Sequence, residues 1–183
     1  MDTAGVTQAV VEGHIKKEVL NLGSADATVR AQAMAGLAVL LTQLQEPCVP
    51  PELMAAVPGL CSLLEAEDGD SGMQANACAI LGGLMAFSDE LQAVVADGLV
   101  AKLQQLLAAT ATDQTLQHNV LTCMSEALRD READAEALAA AGGLVPVLRL
   151  CDPTLPERLQ EAAADVLCAV ASAEGARATM SEQ

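Results

Sequence analysis

Aromatic residues are almost missing from this sequence. Its 183 residues include no Trp and no Tyr, and Phe87 is the single Phe. About half of the residues are nevertheless apolar, and most of these are Ala, Leu and Val. Sheets favour β-branched and aromatic residues, whereas Ala and Leu are among the best helix formers. The composition therefore favours an all-helical fold over one built on a sheet.

Basic residues are also scarce. The chain has nine Lys and Arg against 25 Asp and Glu, a formal net charge of −16, and its only adjacent basic residues are Lys16-Lys17. Binding to nucleic acid requires clustered Lys and Arg that neutralise phosphates, so we expect no nucleic-acid partner. An acidic surface attracts basic proteins, but it also keeps a chain soluble. The charge alone does not decide between these two roles.

The sequence lacks the segments that would direct it to a membrane or to an oxidising compartment. No apolar run reaches the roughly 18–20 uncharged residues of a membrane helix. The start, Met1-Asp2-Thr3-Ala4-Gly5, has no basic region followed by an apolar one. The cysteines are scattered and never form a C-x-x-C pair. This pattern is typical of reduced thiols in a cytosolic protein. We therefore expect no membrane insertion and a cytoplasmic location. A cytoskeletal or ciliary association is compatible with this class of protein, but no feature of the sequence indicates it. The six cysteines are Cys48, Cys61, Cys78, Cys123, Cys151 and Cys168.

Residues that carry catalysis or bind metals are few and dispersed. The chain has two histidines, His14 and His118, and no nucleophile stands in a recognisable signature. His118 and Cys123 do not have the spacing of zinc ligands. The segment 68–72 has part of an EF-hand pattern, but Ala79 stands where the bidentate Glu is required. We therefore expect a protein that is not an enzyme and that binds no metal and no cofactor.

One helical stretch recurs at a regular interval. Met73–Leu84 has altered counterparts in register, and the four copies start at residues 29, 73, 116 and 159, which are 44, 43 and 43 residues apart. A helix that returns at such an interval is the signature of a repeat array. The sequence therefore predicts that stacked helical blocks, rather than one closed bundle, form the core.

Each predicted block contains a short helix, a Gly or Pro turn, a second helix, a loop and a longer third helix. The predicted division is 1-45 for an N-terminal cap and a partial first repeat, 46-88 for repeat 2, 89-130 for repeat 3, 131-172 for repeat 4, and 173-183 for a C-terminal cap or the start of a further repeat. Leu60, Leu103 and Leu148 form one predicted column of the second helix, and Pro58, Ala101 and Pro146 form another. The predicted helices are one near the N-terminus with a cap at Asp2 or Thr3, then 27–43, 52–56, one from Pro58 to about Leu64, one from Met73 to about Phe87, 89–96, 99–109, 115–128, 131–141, 144–150 and 157–171.

Two segments resemble a known repeat family. Gly143-Leu144-Val145-Pro146-Val147-Leu148-Arg149-Leu150, followed by Gln160-Glu161-Ala162-Ala163, is similar to the second and third helices of armadillo repeats, and Gly98–Leu107 is nearly as similar. The resemblance covers about four repeats; HEAT repeats are close relatives. It implies an all-α, right-handed α-solenoid of armadillo-type three-helix repeats, with the third helices lining the concave side.

The sequence departs from the family at its peptide-binding positions. Importin-α-like armadillo proteins hold basic peptides with a ladder of Trp and Asn on successive third helices. None of the corresponding positions matches, so the resemblance does not extend to nuclear-import peptides. A β-catenin-like mode is also disfavoured, because that mode resembles a basic groove that receives acidic ligands. The Trp positions correspond to Ala35, Ala79, Thr122 and Asp165, and the Asn positions to Val39, Gly83, Glu126 and Ala169.

We interpret the chain as a non-enzymatic protein–protein interaction module, a scaffold or adaptor subunit of a larger assembly. One alternative is a chaperone- or transport-type adaptor that captures a basic or helical segment in the concave groove, and a second is a ligand-binding helical bundle. The implied partners are proteins. The predicted concave residues that would contact a partner are His118, Asn119, Thr122, Glu126, Glu161, Asp165, Gln32 and Asn76.

Overall fold

The fold consists of consecutive α-helices. The structure, a computed structural model, describes residues 3–42, 49–65, 70–87, 89–110, 112–173 and 175, with side chains from residue 9 onward. The described residues contain ten helices and no strand. The predicted cap residue Asp2, Cys48 in the predicted connection, and most of 173–183 lie outside the described residues. The helices are α1 (Thr3–Leu22), α2 (Ala27–Leu41), α3 (Pro51–Leu63), α4 (Ser71–Phe87), α5 (Asp89–Val95), α6 (Leu99–Ala109), α7 (Gln114–Leu128), α8 (Glu132–Ala140), α9 (Leu144–Arg149) and α10 (Glu157–Ser172).

Helix α3 corrects one prediction. We expected Pro58-Gly59 to separate a short helix from a second one, but α3 runs through both residues. Leu53, Val57 and Leu60 are all buried and recur at helical spacing across the proline. Pro58 and Gly59 themselves are exposed, so the ring, which removes one backbone hydrogen bond, lies toward solvent. Burial of this apolar stripe therefore outweighs the local break. The described residues of predicted repeat 2 therefore contain two helices, α3 and α4, instead of the three predicted.

The longer helices stack on one another in chain order. α2 packs on α4, α4 on α7, and α7 on α10, while the shorter helices pack beside them and α1 packs on α2 and α3. The core is one continuous cluster of buried apolar residues from Val11 in α1 to Val170 in α10. A single block cannot enclose its apolar stripe, so each block depends on its neighbours. Predicted repeats 3 and 4 contain α5–α7 and α8–α10, and the exact limits of the repeats stay a prediction.

A column of polar side chains recurs near the start of the longer helices. Each donates a hydrogen bond to a backbone carbonyl in the segment just before its helix. The bonds run from Gln74 Nε2 to Leu63 O (3.4 Å), from Gln117 Nε2 to Thr110 O (2.7 Å), and from Gln160 Nε2 to Leu155 O (2.8 Å). Arg30 Nη1 does the same with Ser24 O (2.8 Å). These bonds satisfy carbonyls that the preceding helix or loop leaves without a helical partner.

The second helix of the fourth block corrects another prediction. Leu148 was predicted to share one column of the second helix with Leu60 and Leu103, but it is 47% exposed while those two are 1% and 0% exposed. Val147 is buried in its place. The turn before α9 explains the shift, since the left-handed glycine is Gly142 there and Gly98 in the preceding block. Gly98 and Gly142 are 44 residues apart. The sequence similarity aligned Gly98 with Gly143 instead, so the alignment by structure differs from the alignment by sequence by one residue.

Candidate functional site

A first cavity lies between the C-terminal ends of α2 and α4. It has a volume of about 430 Å³ and is lined on the α2 side by Ala38, Leu41 and Thr42. The α4 side contributes the small residues Ala79, Gly83 and Ala86, and the aromatic residue Phe87 lies at its end. The lining is therefore smooth and largely apolar.

A second cavity continues the first between α4 and α7. Its volume is about 280 Å³, and it shares three lining residues with the first cavity, so the two form one surface feature. We call this feature the α2–α4–α7 groove. Its shared floor is Ala79, Gly83 and Ala86, and its remaining lining residues are Ala38, Leu41, Thr42, Phe87, Cys78, Gly82, His118, Asn119, Thr122 and Glu126.

The groove floor exists because small residues let α4 and α7 approach closely. A Cβ at Gly82 would lie 3.4 Å from Cys123 Cα, so the two helices are in van der Waals contact there. The thiols of Cys78 and Cys123 are both fully buried in this contact. A hydrogen bond with Cys78, together with burial, raises the pKa of the Cys123 thiol well above its ordinary value. The Cys123 thiol is therefore a packing group rather than a reactive one, and the buried Cys78 side chain packs in the same contact.

The α7 side of the groove carries polar and acidic groups. Glu126 is half-buried, and its Oε2 lies 3.8 Å from Arg129 Nη1. The Glu126 carbonyl accepts a hydrogen bond from Gln92 Nε2 (3.0 Å). His118 Nδ1 is buried without a hydrogen-bond partner among the described residues. The groove thus changes from apolar at α2 to polar and acidic at α7.

The predicted partner-contacting residues separate into two groups. His118, Asn119, Thr122 and Glu126 lie together and line the groove. The other four lie outside its lining: Gln32, Glu161 and Asp165 are exposed, and Asn76 is half-buried. The structure does not test whether any of the eight contacts a partner, and all eight stay predictions.

Asn119 and Arg129 also connect neighbouring blocks. Asn119 Nδ2 donates to Ala75 O at 2.9 Å, and Arg129 Nη2 donates to Met85 O at 2.8 Å. Both bonds join α7 to α4 across 44 residues of sequence. Each satisfies a polar group at the interface between the two longer helices. The side-chain amide of Asn119 therefore has a stacking role in addition to its predicted role.

The sequence interpretation missed the α2 side of the groove. Ala38 and Leu41 line this side and Phe87 lies at the end of the α4 side, whereas the predicted contact residues were all polar side chains of the third helices. Their apolar character was visible in the sequence, but apolar residues on a helix are usually assigned to the core. Identifying them as groove residues requires the distance between α2 and α4.

A separate apolar cavity lies among α1, α2, α3 and α4. Its volume is about 290 Å³, and among the described residues that line it Arg30 is the one with a charge. Leu22, Met34, Leu63 and Met73 contribute much of its apolar wall. Elsewhere in the described ranges, no group of three or more His, Cys, Asp or Glu side chains is placed to hold a metal ion. Across the same ranges, none of the helices combines the length and apolar character that crossing a bilayer needs.

Comparison with known proteins identifies the fold. No protein-family profile and no curated protein matches the chain. An engineered protein solved by the Northeast Structural Genomics Consortium is 25% identical, with a TM-score of 0.75 over 98% of this chain and 72% of that one. A second engineered protein from the same consortium is 25% identical, with a TM-score of 0.72 over 97% of this chain. This chain spans only 41% of its length. A designed armadillo repeat protein is 19% identical, with a TM-score of 0.76 over 98% of this chain and 76% of that one. The chain therefore has an all-α solenoid fold of the armadillo type, about four repeats long.

Proposed function

We propose that the chain is a non-enzymatic protein–protein interaction module that acts as a scaffold or adaptor subunit in the cytoplasm. The α2–α4–α7 groove is its binding surface, and the partner segment is a helix that carries Lys or Arg. The observation that supports this proposal is the continuous groove with its floor of Ala79, Gly83 and Ala86. Small floor residues allow the backbone of a partner helix to approach closely.

Charge supports a basic partner. The chain carries a net charge of −16, and Glu126 borders the groove on the α7 side. Glu161 and Asp165 are exposed on α10, the next longer helix. Complementary charges steer association and fix the register of a bound helix more than they raise its affinity. A basic side chain at one end of the partner helix would therefore orient it along the groove.

Charge reversal tests this proposal. We expect the triple variant Glu126→Lys, Glu161→Lys, Asp165→Lys to lose the partners that copurify with the wild-type chain. Close like charges at an interface cost several kcal/mol, which is a loss of more than about tenfold in affinity. Quantitative mass spectrometry of the copurified proteins would measure the loss.

Val94→Lys is the matched control, because Val94 is exposed on α5 and does not line the groove. Cross-linking should then map the retained partners to a helix with Lys or Arg. Unchanged copurification with the triple variant, or a bound segment without basic residues, would contradict the proposal.

A second candidate function is the binding of an apolar ligand. The observation that favours it is the cavity of about 290 Å³ among α1 to α4, where Arg30 could meet a ligand's anionic group. Small-molecule sites are typically somewhat larger, about 300–1,000 Å³. A thermal-shift screen with fatty acids would test this function, because a fatty acid that binds the folded chain raises its melting temperature. The absence of any shift across the screen would contradict it.

A further inference from the structure

The two cavities of the α2–α4–α7 groove lie on opposite sides of α4. The first is bounded by α2 and α4, and the second by α4 and α7. The α4 surface between them consists of the shared floor residues Ala79, Gly83 and Ala86. Helices that pack on one another have axes about 8–10 Å apart. The centres of the two cavities are therefore separated by about one such spacing.

The first cavity suits an apolar side chain. Its described lining residues carry no charge, and Phe87, the only aromatic residue of the sequence, lies at its end. Leu41 reaches across to α4, because a Cβ at Gly83 would lie 3.6 Å from Leu41 Cδ1. Val39, 59% exposed and about one turn before Thr42, extends the apolar surface toward solvent. A partner's Leu, Met or Phe seated here would remove apolar surface of both chains from water.

The second cavity contains an acceptor that its own chain satisfies incompletely. Glu126 Oε2 is buried and accepts no hydrogen bond from the described residues. Arg129 Nη1 is 3.8 Å from this oxygen, while Arg129 Nη2 donates to Met85 O at 2.8 Å. A carboxylate that is partly withdrawn from water is stabilised by a charged donor at hydrogen-bond distance. The Glu126 carboxylate is therefore the position in the groove for a partner's Lys or Arg.

The separation of the cavities sets the spacing of these two side chains on the partner. An α-helix rises 1.5 Å per residue, so a distance near 10 Å takes roughly seven residues, and side chains at that interval share one face. An extended segment covers the same distance in about three residues, whose first and last side chains point to opposite faces. A helix therefore directs both side chains into the groove, whereas an extended segment directs one of them away.

Between the two cavities the partner helix crosses the floor on α4. The partner residue that faces this floor lies three or four positions from the apolar one, on the same helical face. A small side chain there lets the two backbones approach. The same device already operates at Gly82, where a Cβ would lie 3.4 Å from Cys123 Cα of α7.

We propose that the groove recognises a helical motif with three features on one face: Leu, Met or Phe, a small residue three or four positions away, and Lys or Arg seven positions away. The apolar side chain occupies the cavity at Leu41 and Phe87, and the basic one binds Glu126. Because it specifies the partner of the α2–α4–α7 groove, this motif rests on the proposed function. The direction of the partner helix in the groove decides whether its apolar or its basic residue comes first.

Fluorescence anisotropy with labelled helical peptides tests the motif. Each peptide has an Ala-Gln host sequence, blocked ends, one Leu and one Arg, so composition and charge are identical in all of them. Leu and Arg are seven positions apart in two peptides, one for each order, and five positions apart in two controls, which places them on different faces. A control loses either the apolar or the basic contact, so one seven-position peptide should bind at least about tenfold more tightly than both controls.

Variants of this chain assign the two ends of the preferred peptide. Glu126→Gln should weaken its binding by at least about threefold, and should have a smaller effect on an analogue peptide in which Gln replaces Arg. Thr42→Lys places a charge at the exposed edge of the apolar cavity and should also weaken binding. Val94→Lys, exposed on α5 outside the groove, should bind like the wild type. Circular dichroism would verify that the variants keep their helical content.

The outcomes distinguish the motif from the groove itself. Equal affinity at both spacings, still reduced by Glu126→Gln, would overturn the motif and leave the groove as the binding surface. Binding that neither Glu126→Gln nor Thr42→Lys weakens would overturn it as well. The motif is also overturned if none of the four peptides binds, even where the triple charge-reversal variant loses its copurified partners and so supports the groove.

Discussion

Gln117 shows at the scale of one residue how a block is closed. Its side chain is buried, and Nε2 donates to Thr110 O at 2.7 Å in the segment before α7. The bond links the start of a longer helix to the end of the segment that precedes it. A polar residue in this position contributes to the stability of the block because it satisfies a backbone carbonyl that is partly shielded from water.

Removing this side chain should destabilise the fold. We expect Gln117→Ala to lower the free energy of unfolding by about 1 kcal/mol, because it removes a hydrogen bond to the half-buried Thr110 carbonyl. Gln105→Ala is the control: Gln105 is exposed on α6, and its loss should change stability by less than about 0.5 kcal/mol. Urea unfolding followed by circular dichroism measures both. Equal losses in the two variants would show that the Thr110 bond is unimportant.

The recurrence of these side chains could be seen in the sequence, but their role could not. Arg30, Gln74, Gln117 and Gln160 occupy the same place in the four recurring stretches. Their hydrogen-bond acceptors lie in the preceding loops or helix ends, whose conformation no periodic pattern specifies. Leu41 and Phe87 of the groove were missed for a related reason, since only the separation of two helices shows whether an apolar residue lines a core or a groove.

At the scale of the element, Asp113 fixes the start of α7. Its carboxylate accepts hydrogen bonds from the backbone N–H groups of Thr115 and Leu116, each at 3.0 Å. The bond from Leu116, the Ser71 hydroxyl and the bond from Thr115 together lower the pKa of Asp113 below its ordinary value of 3.8. Because Ser71 begins α4, this cap also connects two neighbouring longer helices.

The Asp113 cap should make the stability of the fold depend on pH. Asp113→Ala should cost about 1 kcal/mol near neutral pH, where the carboxylate is charged. The folded-state pKa is lowered, so the contribution of the charge is present above 3.8 and is lost as the pH falls through the folded-state value. The stability difference between the wild type and Asp113→Ala should therefore narrow in acid.

Asp113→Asn provides the matched comparison for this effect. Asn keeps an acceptor at the N-cap but has no titrating group, so the difference between Asn and Ala should not change with pH. Denaturant unfolding at about pH 7 and about pH 3 measures all three proteins. A wild-type advantage over Ala that persists undiminished in acid would contradict the assignment.

Most helices could be predicted from their apolar periodicity and their glycine turns. α6 begins and ends where the sequence predicted, and α7 and α10 differ by one residue at one end. α3 could not be predicted, because the Pro58-Gly59 pair has the composition of a turn, and only the burial of Leu53, Val57 and Leu60 keeps the helix continuous. The predicted register of α9 was wrong for a similar reason: the turn geometry at Gly142 determines which side chain of α9 packs inward.

At the scale of the whole molecule, stability should be unequal along the stack. α4 packs between α2 and α7, and α7 packs between α4 and α10. In solenoids, stability is approximately the sum of the contributions of single repeats and of nearest-neighbour interfaces. The inner longer helices therefore have more stabilising interfaces than α1 and α10 in the described stack.

Hydrogen exchange should reveal this inequality. In dilute protein we expect amides of α4 and α7 to exchange at least about tenfold more slowly than those of α10 and α1, because the outer helices open without disrupting the centre. Mass spectrometry of exchanged peptides measures the four helices in one experiment. Protection in α10 equal to that in α4 at low concentration would show that the stack opens as a single unit.

The floor of the α2–α4–α7 groove has a consequence for how this protein can change. Ala79, Gly83 and Ala86 carry no polar side-chain group, so the bonds that join α7 to α4 come from other residues, Asn119 and Arg129. A Cβ at Gly83 would meet Leu41 at an ordinary 3.6 Å. Directed evolution could therefore vary the floor among small residues, such as Ala at Gly83, and so change what the groove recognises while the bonds of Asn119 and Arg129 still hold the two helices together.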